Sequence, residues 1–299
     1  METKVEFVGL EYIFTPHQRV FWVYILSAFF IAGIYMKFFP ATLHEYKSRK
    51  IWTHKSALMD YKYFVVVAFI KVAFILPLIL SSKDVSLWTT LFLQEQFGYV
   101  SALSLSREYV VLLYTVTLFV VGDFTRYLLH RLLHTLPFLW KIHQVHHSAE
   151  VLNPLTFYRV HPIENILFGL RYAVIVGLIT GVFIYLFGAN IGLVEIVGAN
   201  IFVFAFGVLG SNLRHSHIPL RYGDFFEKVF ISPYQHQLHH SVAFTHKNFG
   251  GTLAIWDWMF DTLHIEKTEV NIEYGTKEKS SFNTITEMLF KPFYKEIKI

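Results

Sequence analysis

A helix needs about 20 apolar residues to cross the hydrocarbon core of a bilayer, and five stretches of this chain approach that length. They are residues 20–39, 63–80, 109–121 (continuing towards the first histidines), 166–187 and 191–209. Backbone in lipid must satisfy its own hydrogen bonds, so such stretches read as helices. The expected fold class is therefore all-α: an integral membrane helical bundle. Only 16% of the residues are charged, against roughly a quarter in soluble domains, which disfavours a soluble enzyme with a large core. The first stretch follows Glu2, Glu6 and Glu11 and has no small-residue cleavage site. It reads as a retained helix, not a signal peptide.

Charge sets the expected topology. Lys47, Arg49, Lys50, Lys55 and Lys62 follow the first stretch, whereas the next connection holds Lys83 and Arg107 beside Asp84, Glu95 and Glu108. The positive-inside rule makes the first connection cytoplasmic. The third stretch then returns to that side near Arg126, Arg131 and Lys141. A tight turn at Gly188-Ala-Asn-Ile-Gly192 makes a hairpin of the fourth and fifth. Lys71 falls near the middle of the second stretch and reads as a structural pair or a site residue. Glu195 reads as interfacial.

The simplest organisation is one integral membrane domain over residues 1–299. It comprises membrane helices to about 108, a histidine-bearing core over 109–265 and a cytoplasmic tail over 266–299. The net charge of +4 is small for this length, which suits lipid head groups and excludes a strongly basic nucleic-acid binder. The C-terminal residues carry no retention signal of the Lys-Asp-Glu-Leu or dilysine type. That favours a bacterial inner membrane, with the endoplasmic reticulum as the alternative.

The chain has no cysteine, so a transition-metal site must use His, Asp or Glu. Three histidine clusters stand out: His130 and His134; His143, His146 and His147; and His236, His239 and His240. Positions i, i+3 and i+4 of a helix share one face, so each cluster can aim two or three imidazoles at a common point. With 16 histidines in 299 residues, an H-x-x-H-H pattern is expected on the order of 0.05 times by chance. Here it occurs twice. Breakers bound each cluster: Pro137, Asn153-Pro154 and Ser232-Pro233. Eight ligands exceed what one zinc takes and favour two ions, while imidazole suits iron, zinc or copper alike. His161, before Pro162, and His215, after the fifth stretch, are further candidates, and His217 a weaker one. His17, His44, His54, His246 and His264 read as ordinary polar histidines.

These motifs resemble the fatty acid hydroxylase/sterol desaturase superfamily of integral membrane oxygenases. The resemblance covers about residues 123–262. It rests on D-x-x-R-Y-x-x-H-R-x-x-H from Asp123, W-K-I-H-Q-V-H-H-S from Trp140, R-V-H-P-I-E from Arg159, P-Y-Q-H-Q-L-H-H-S from Pro233 and N-F-G-G-T-L-A-I-W-D-W-M-F-D-T from Asn248. It implies a helical cap at the cytoplasmic face. There His130, His134, His143, His146, His147, His236, His239 and His240, with His161 and His215, would bind two iron ions (zinc as an alternative in isolated protein). Two positions depart from the pattern: His217 stands where relatives often have Asn, and Asp261 where many have Gly.

The expected activity is dioxygen-dependent oxidation of a lipid C–H bond, by hydroxylation or desaturation, with Asp123, Glu164 and Asp257 orienting imidazoles. No flavin, nicotinamide or haem motif is present, so electrons would come from an external ferredoxin or small haem carrier. A membrane metal-binding or metal-transport protein is the alternative, although such a protein strings its histidines along a path within the spans.

Overall fold

The computed structural model describes residues 10–48, 50–75, 80–100, 103–197, 199–268, 270–276 and 282–294. Its architecture is mostly helical. Two long helices form the axis: α5 is Arg107–Thr135 and α7 is Pro162–Phe187. The helices before α5 are α1 (Trp22–Phe38), α2 (Pro40–Ser48), α3 (Lys55–Ile70) and α4 (Ser82–Phe97). Between the two long helices lies α6 (Pro137–His147). After α7 come α8 (Ile201–Val208), α9 (Pro233–His239), α10 (Ile255–Met259) and α11 (Ile285–Phe290).

Local chemistry ends these helices where the sequence places its breakers. α5 stops before Leu136, whose extended backbone is what a residue preceding proline adopts. Pro137 then opens α6, and Pro162 opens α7 behind the His161 N-cap. Gly188 closes α7 at φ 60°, the left-handed region that glycine tolerates.

Among the described residues, α5 and α7 are the helices long and apolar enough to cross a membrane. This differs from the five expected crossings. The first stretch forms α1, an apolar helix of 17 residues. It buries Tyr24, Ala28 and Ala32 and exposes Phe29, Phe30 and Phe38. The second stretch is broken: α3 ends at Ile70 and a π-helical turn follows over Lys71–Ile75. Residues 76–79 of that stretch lie outside the described residues.

The fifth stretch departs most. A short antiparallel pair, β1 (Glu195–Ile196) with β2 (Ala199–Asn200), precedes the eight-residue α8. Asn200 is responsible: its side chain accepts from the Phe202 N–H as an N-cap and donates to the Thr115 carbonyl of α5. The Thr115 hydroxyl accepts from the Val194 N–H. Non-helical backbone is thus satisfied by protein, as it must be in an apolar layer. Glu195 is exposed, in keeping with an interfacial place.

α4 falls in what reads as a connection, yet it is the closest partner of α7. Gly177 and Gly181 of α7 face Val85 and Thr89 of α4, so the two run in the same direction. A Cβ on Gly177 would sit 2.8 Å from the Ser82 carbonyl, and one on Gly181 2.7 Å from that of Ser86. Small residues one turn apart let the backbones meet, the packing mode of helices in lipid.

A buried ion pair ties α3 to the histidine-bearing cap. Arg159 Nη1 donates to Asp60 Oδ1 at 2.8 Å. The other Asp60 oxygen accepts from Thr156 at 2.6 Å and Asn153 at 3.0 Å. The C-terminal segment, expected as a tail, is folded back: Phe282 and Met288 pack with Tyr63, Val67 and Val145 in one core cluster.

The glycine contacts make a direct prediction. Gly181→Val forces helix separation and should cost about 1–3 kcal/mol, as overpacking does. Gly33→Ala, with open space around it, should be neutral or slightly stabilising. Thermal unfolding in detergent checks the pair; equal melting temperatures would contradict the close α4–α7 contact.

Candidate metal centre

α5, α6 and α9 meet at one end of the long helices, and the 3-10 turn Ser211–His215 closes the site. Nine imidazoles converge there in two groups. His130, His134, His143, His147 and His239 form one; His146, His215, His236 and His240 form the other. In each group the candidate ligand atoms lie within 4.8 Å of one another. With metal–imidazole bonds of about 2.0–2.1 Å, a single ion can sit among either set. The groups adjoin: the His147 and His240 rings stack at 4.5 Å, and the His143 and His146 rings stand 5.4 Å apart.

The helical spacing explains the division and corrects the expectation that each cluster serves one point. In α6, His143 and His147, four residues apart, join the first group, while His146 turns to the second. In α9 and its C-cap the assignment is reversed. His236 and His240 join the second group and His239 the first. Each H-x-x-H-H segment therefore bridges both groups, because positions i and i+4 project in one direction and i+3 is rotated away from them.

Hydrogen bonds set the tautomers. A carbonyl only accepts, so His130 Nδ1–H donates to Phe249 O at 2.7 Å and His239 Nδ1–H to Lys247 O at 2.7 Å. His143 Nδ1–H donates to Glu164 at 3.0 Å. In each case Nε2 keeps its lone pair. Nε2 of His143 and His239 has no protein partner, nor has either nitrogen of His134 or His147. Nδ1 of His146, His236 and His240 is likewise unpartnered. Buried polar atoms are nearly always paired. So many imidazole nitrogens without a protein partner, in side chains gathered this closely, fit metal ligation, and an all-imidazole set accommodates iron, zinc or copper.

Burial first, and neighbouring imidazoles second, hold His146, His147, His215, His236 and His240 well below the ordinary histidine range. Burial pushes His239 down to about 3, against the opposing pull of its bond to Lys247. All six are neutral at physiological pH, the form that binds metal.

Three carboxylates organise the site. Glu164 acts directly, through His143. Asp257 accepts from the Phe249 and Gly250 N–H groups at 2.8 and 2.7 Å and from the Thr262 hydroxyl at 2.7 Å. Asp123 accepts from Thr252, Leu253 and the Trp256 indole. These two touch no imidazole. They pin the loop that presents the Phe249 carbonyl to His130, so their orienting role is one step removed from the expected one. Asp261 has φ 56°, a conformation that suits Gly and that Asp tolerates better than most residues.

His215 stands within the second group, as expected of a candidate ligand. His161 does not join either group. Its Nδ1 accepts from the Ile163 N–H as the α7 N-cap, and its Nε2–H donates to Leu289 O at 3.0 Å. Both nitrogens are committed, leaving no lone pair for an ion. His217 Nε2 accepts from the Leu152 N–H and also lies apart. The carbonyls of Phe249 and Lys247 escape sequence reasoning because any residue carries one.

A cavity of about 630 Å³ opens on the histidines and runs along α7 from Glu164 to Ala173. His130, His143, His146, His215 and His236 form its polar end, and Phe64, Val67, Ile75 and Phe168 contribute apolar wall. Lys71 lines it too, donating to the Tyr12 hydroxyl at 3.0 Å. A second cavity of about 540 Å³ reaches His147 from another side, beside Trp140 and His246.

The neutral imidazoles make stability pH-dependent. Their folded pKa lies below the unfolded value near 6.5, so unfolding takes up protons in acid. Stability is whole above 6.5 and falls below it, for His239 down to about 3. Each such group removes about 1.4 kcal/mol per pH unit in that window. The melting temperature of chelator-treated protein should therefore hold nearly level above about pH 6.5 and fall steadily from there to about pH 5. A flat profile would show that the imidazoles are not buried in neutral form.

Residues 115–262 match the fatty acid hydroxylase family. Alkylglycerol monooxygenase of Caenorhabditis elegans is 32% identical over 59% of this chain and 34% of its own length. Ornithine lipid hydroxylase OlsE of Rhizobium tropici is 30% identical over 58% of this chain and 48% of its own. The chain thus spans half or less of these two relatives. Very-long-chain aldehyde decarbonylase GL1-8 of Oryza sativa subsp. indica is 30% identical over 79% of this chain and 81% of its own length. No solved structure matches. The paired histidine groups and these matches agree: the chain belongs to the fatty acid hydroxylase family.

Proposed function

We propose that the protein is a membrane-bound non-haem di-iron oxidoreductase that oxidises a lipid C–H bond with dioxygen. One observation carries the reading: nine imidazoles form two adjoining groups, and five of them (His130, His143, His146, His215 and His236) face a cavity that continues along α7 past apolar side chains. Two iron ions held by these groups supply dioxygen activation and hydrogen abstraction. The monooxygenase and hydroxylase names of two relatives support the reaction class.

The chain's own residues have defined tasks. The imidazoles bind as neutral donors, and Glu164 holds the proton on His143 Nδ1, keeping Nε2 directed at the site. The Phe249 and Lys247 carbonyls do the same for His130 and His239. The apolar wall positions the lipid chain and excludes water from the reacting carbon. Hydroxylation consumes one dioxygen, two electrons and two protons and yields an alcohol and one water. Desaturation with the same inputs yields an alkene and two waters. The electrons require an external donor, a ferredoxin or small haem carrier. The Lys and Arg bias supports multi-pass insertion with the histidines at the cytoplasmic face, in a bacterial inner membrane or the endoplasmic reticulum. Compact grouping at the helix ends, with no file of ligands along a path, argues against metal transport.

His239→Ala and His146→Ala each remove one ligand from a different group. Both variants should bind less iron per chain and lose lipid oxidation by at least 100-fold. Metal analysis and turnover in reconstituted protein test this, and lipid turnover surviving in either variant sinks the proposal. Glu164→Gln should weaken metal binding about 10- to 100-fold, read by competition with a chelator.

A further inference from the structure

Five cations line the large cavity: Arg19, Lys71, Arg126, Arg171 and Arg214. Glu164 is its one lining carboxylate, and it is committed to His143. Buried Asp123 also acts on Arg126 and Arg171 from behind the wall, so five positive charges against two negative leave a net of three. None of the five forms an ion pair among the described residues. Buried Arg159 is the contrast: where the role is structural, an aspartate meets it at 2.8 Å. Unpaired charge in a low-dielectric setting is costly and marks function.

The cations also keep donors in hand. Arg126 donates no hydrogen bond among the described residues and lies over the Phe168 ring. It precedes His130 by one helical turn on the same face of α5. Arg19 lies over Phe157, which packs against His215, and its Nη1 has no partner. Among the described residues, Lys71 meets the Tyr12 hydroxyl and ring. Nε of Arg171 is unpartnered. Arg214 is buried, held by the Ser211 and Gly251 carbonyls, and remains cationic although burial brings it down to about 10. Next to these charges the wall is apolar, so the complementary ligand joins an anionic group to a hydrocarbon chain.

We propose that the substrate is a lipid with an anionic oxygen head group, carboxylate or phosphate, which Arg19, Lys71 and Arg126 recognise inside the cavity. This deepens the lipid-oxidation reading and rests on it for the reaction, but not for the ligand class. The test is equilibrium binding of palmitate, monopalmitoyl lysophosphatidate and monopalmitoylglycerol to the full-length protein in nonionic detergent. The two anionic ligands should bind at least tenfold more tightly than the neutral one. Tighter binding of palmitate names carboxylate as the head group, and of lysophosphatidate, phosphate.

Arg19→Gln and Lys71→Gln should reduce that preference at least fivefold, and Arg19→Lys and Lys71→Arg should largely restore it. The charge-keeping pair also decides the matter if the glutamine variants do not fold. Equal affinity for charged and neutral ligands, or inorganic phosphate competing as well as lysophosphatidate, overturns the proposal. Because binding is read without turnover, charge-selective binding with no oxidation of any lipid would instead remove the proposed reaction. Oxidation of lipids with no charge preference would keep the reaction and remove this inference.

Discussion

Nine imidazoles packed ring against ring, most with a nitrogen that no protein group meets, are the constraint around which this molecule is arranged. They cannot satisfy one another. A neutral imidazole has one donor and one acceptor, and the Nε2 atoms of His215, His236 and His240 already face each other at 3.2–3.3 Å. They cannot all take protons either, since burial and mutual repulsion oppose charge. Metal binding would resolve both problems, and its free energy would become folding free energy for the cap. The division of each H-x-x-H-H segment between the two groups adds a consequence. Both groups draw on α6 and on α9, so occupation of either site would favour the docking of both helices.

Carboxylates supply the precision that the imidazoles alone lack. Glu164 stands in the first turn of α7, where the helix dipole favours its charge, and from there reaches His143. Asp123 and Asp257 straighten the loop carrying Phe249 from two sides. Gly250 and Gly251 are required by closeness: a Cβ on Gly250 would lie 2.6 Å from the Leu253 carbonyl, and one on Gly251 2.8 Å from Arg126 Cδ. The Asp60–Arg159 pair does comparable work for α3, bringing the wall of the cavity against the cap.

The residues of the centre were legible in the sequence because metal ligation needs a scarce side chain at helical spacing. Eight of the nine grouped histidines lie in the three clusters, and His215 follows from its place at the end of an apolar stretch. How they divide was not legible, since one helix face looks out on both groups. His161 misleads because a histidine before Pro162 serves equally well as an N-cap, and the cap uses its lone pair. Hydropathy found α5 and α7 but passed over α4, whose Lys83, Asp84, Gln94 and Glu95 hide a face packed on glycines. The same measure overstated the fifth stretch, where Asn200 and the Thr115 side chain offer the backbone an alternative to helix.

The length of α5 places the chemistry. Its 29 residues span about 44 Å at 1.5 Å per residue, whereas the hydrocarbon core is about 30 Å thick. Roughly the last nine residues therefore extend beyond the apolar layer, and His130 and His134 lie among them. The cavity runs the other way, back along α7 from Glu164 to Ala173, about 14 Å by the same rise. A lipid filling it, as proposed, would have its chain in the apolar layer and its reacting carbon at the rim. Water and protons can reach the rim there, which suits the lipid oxidation proposed for this centre.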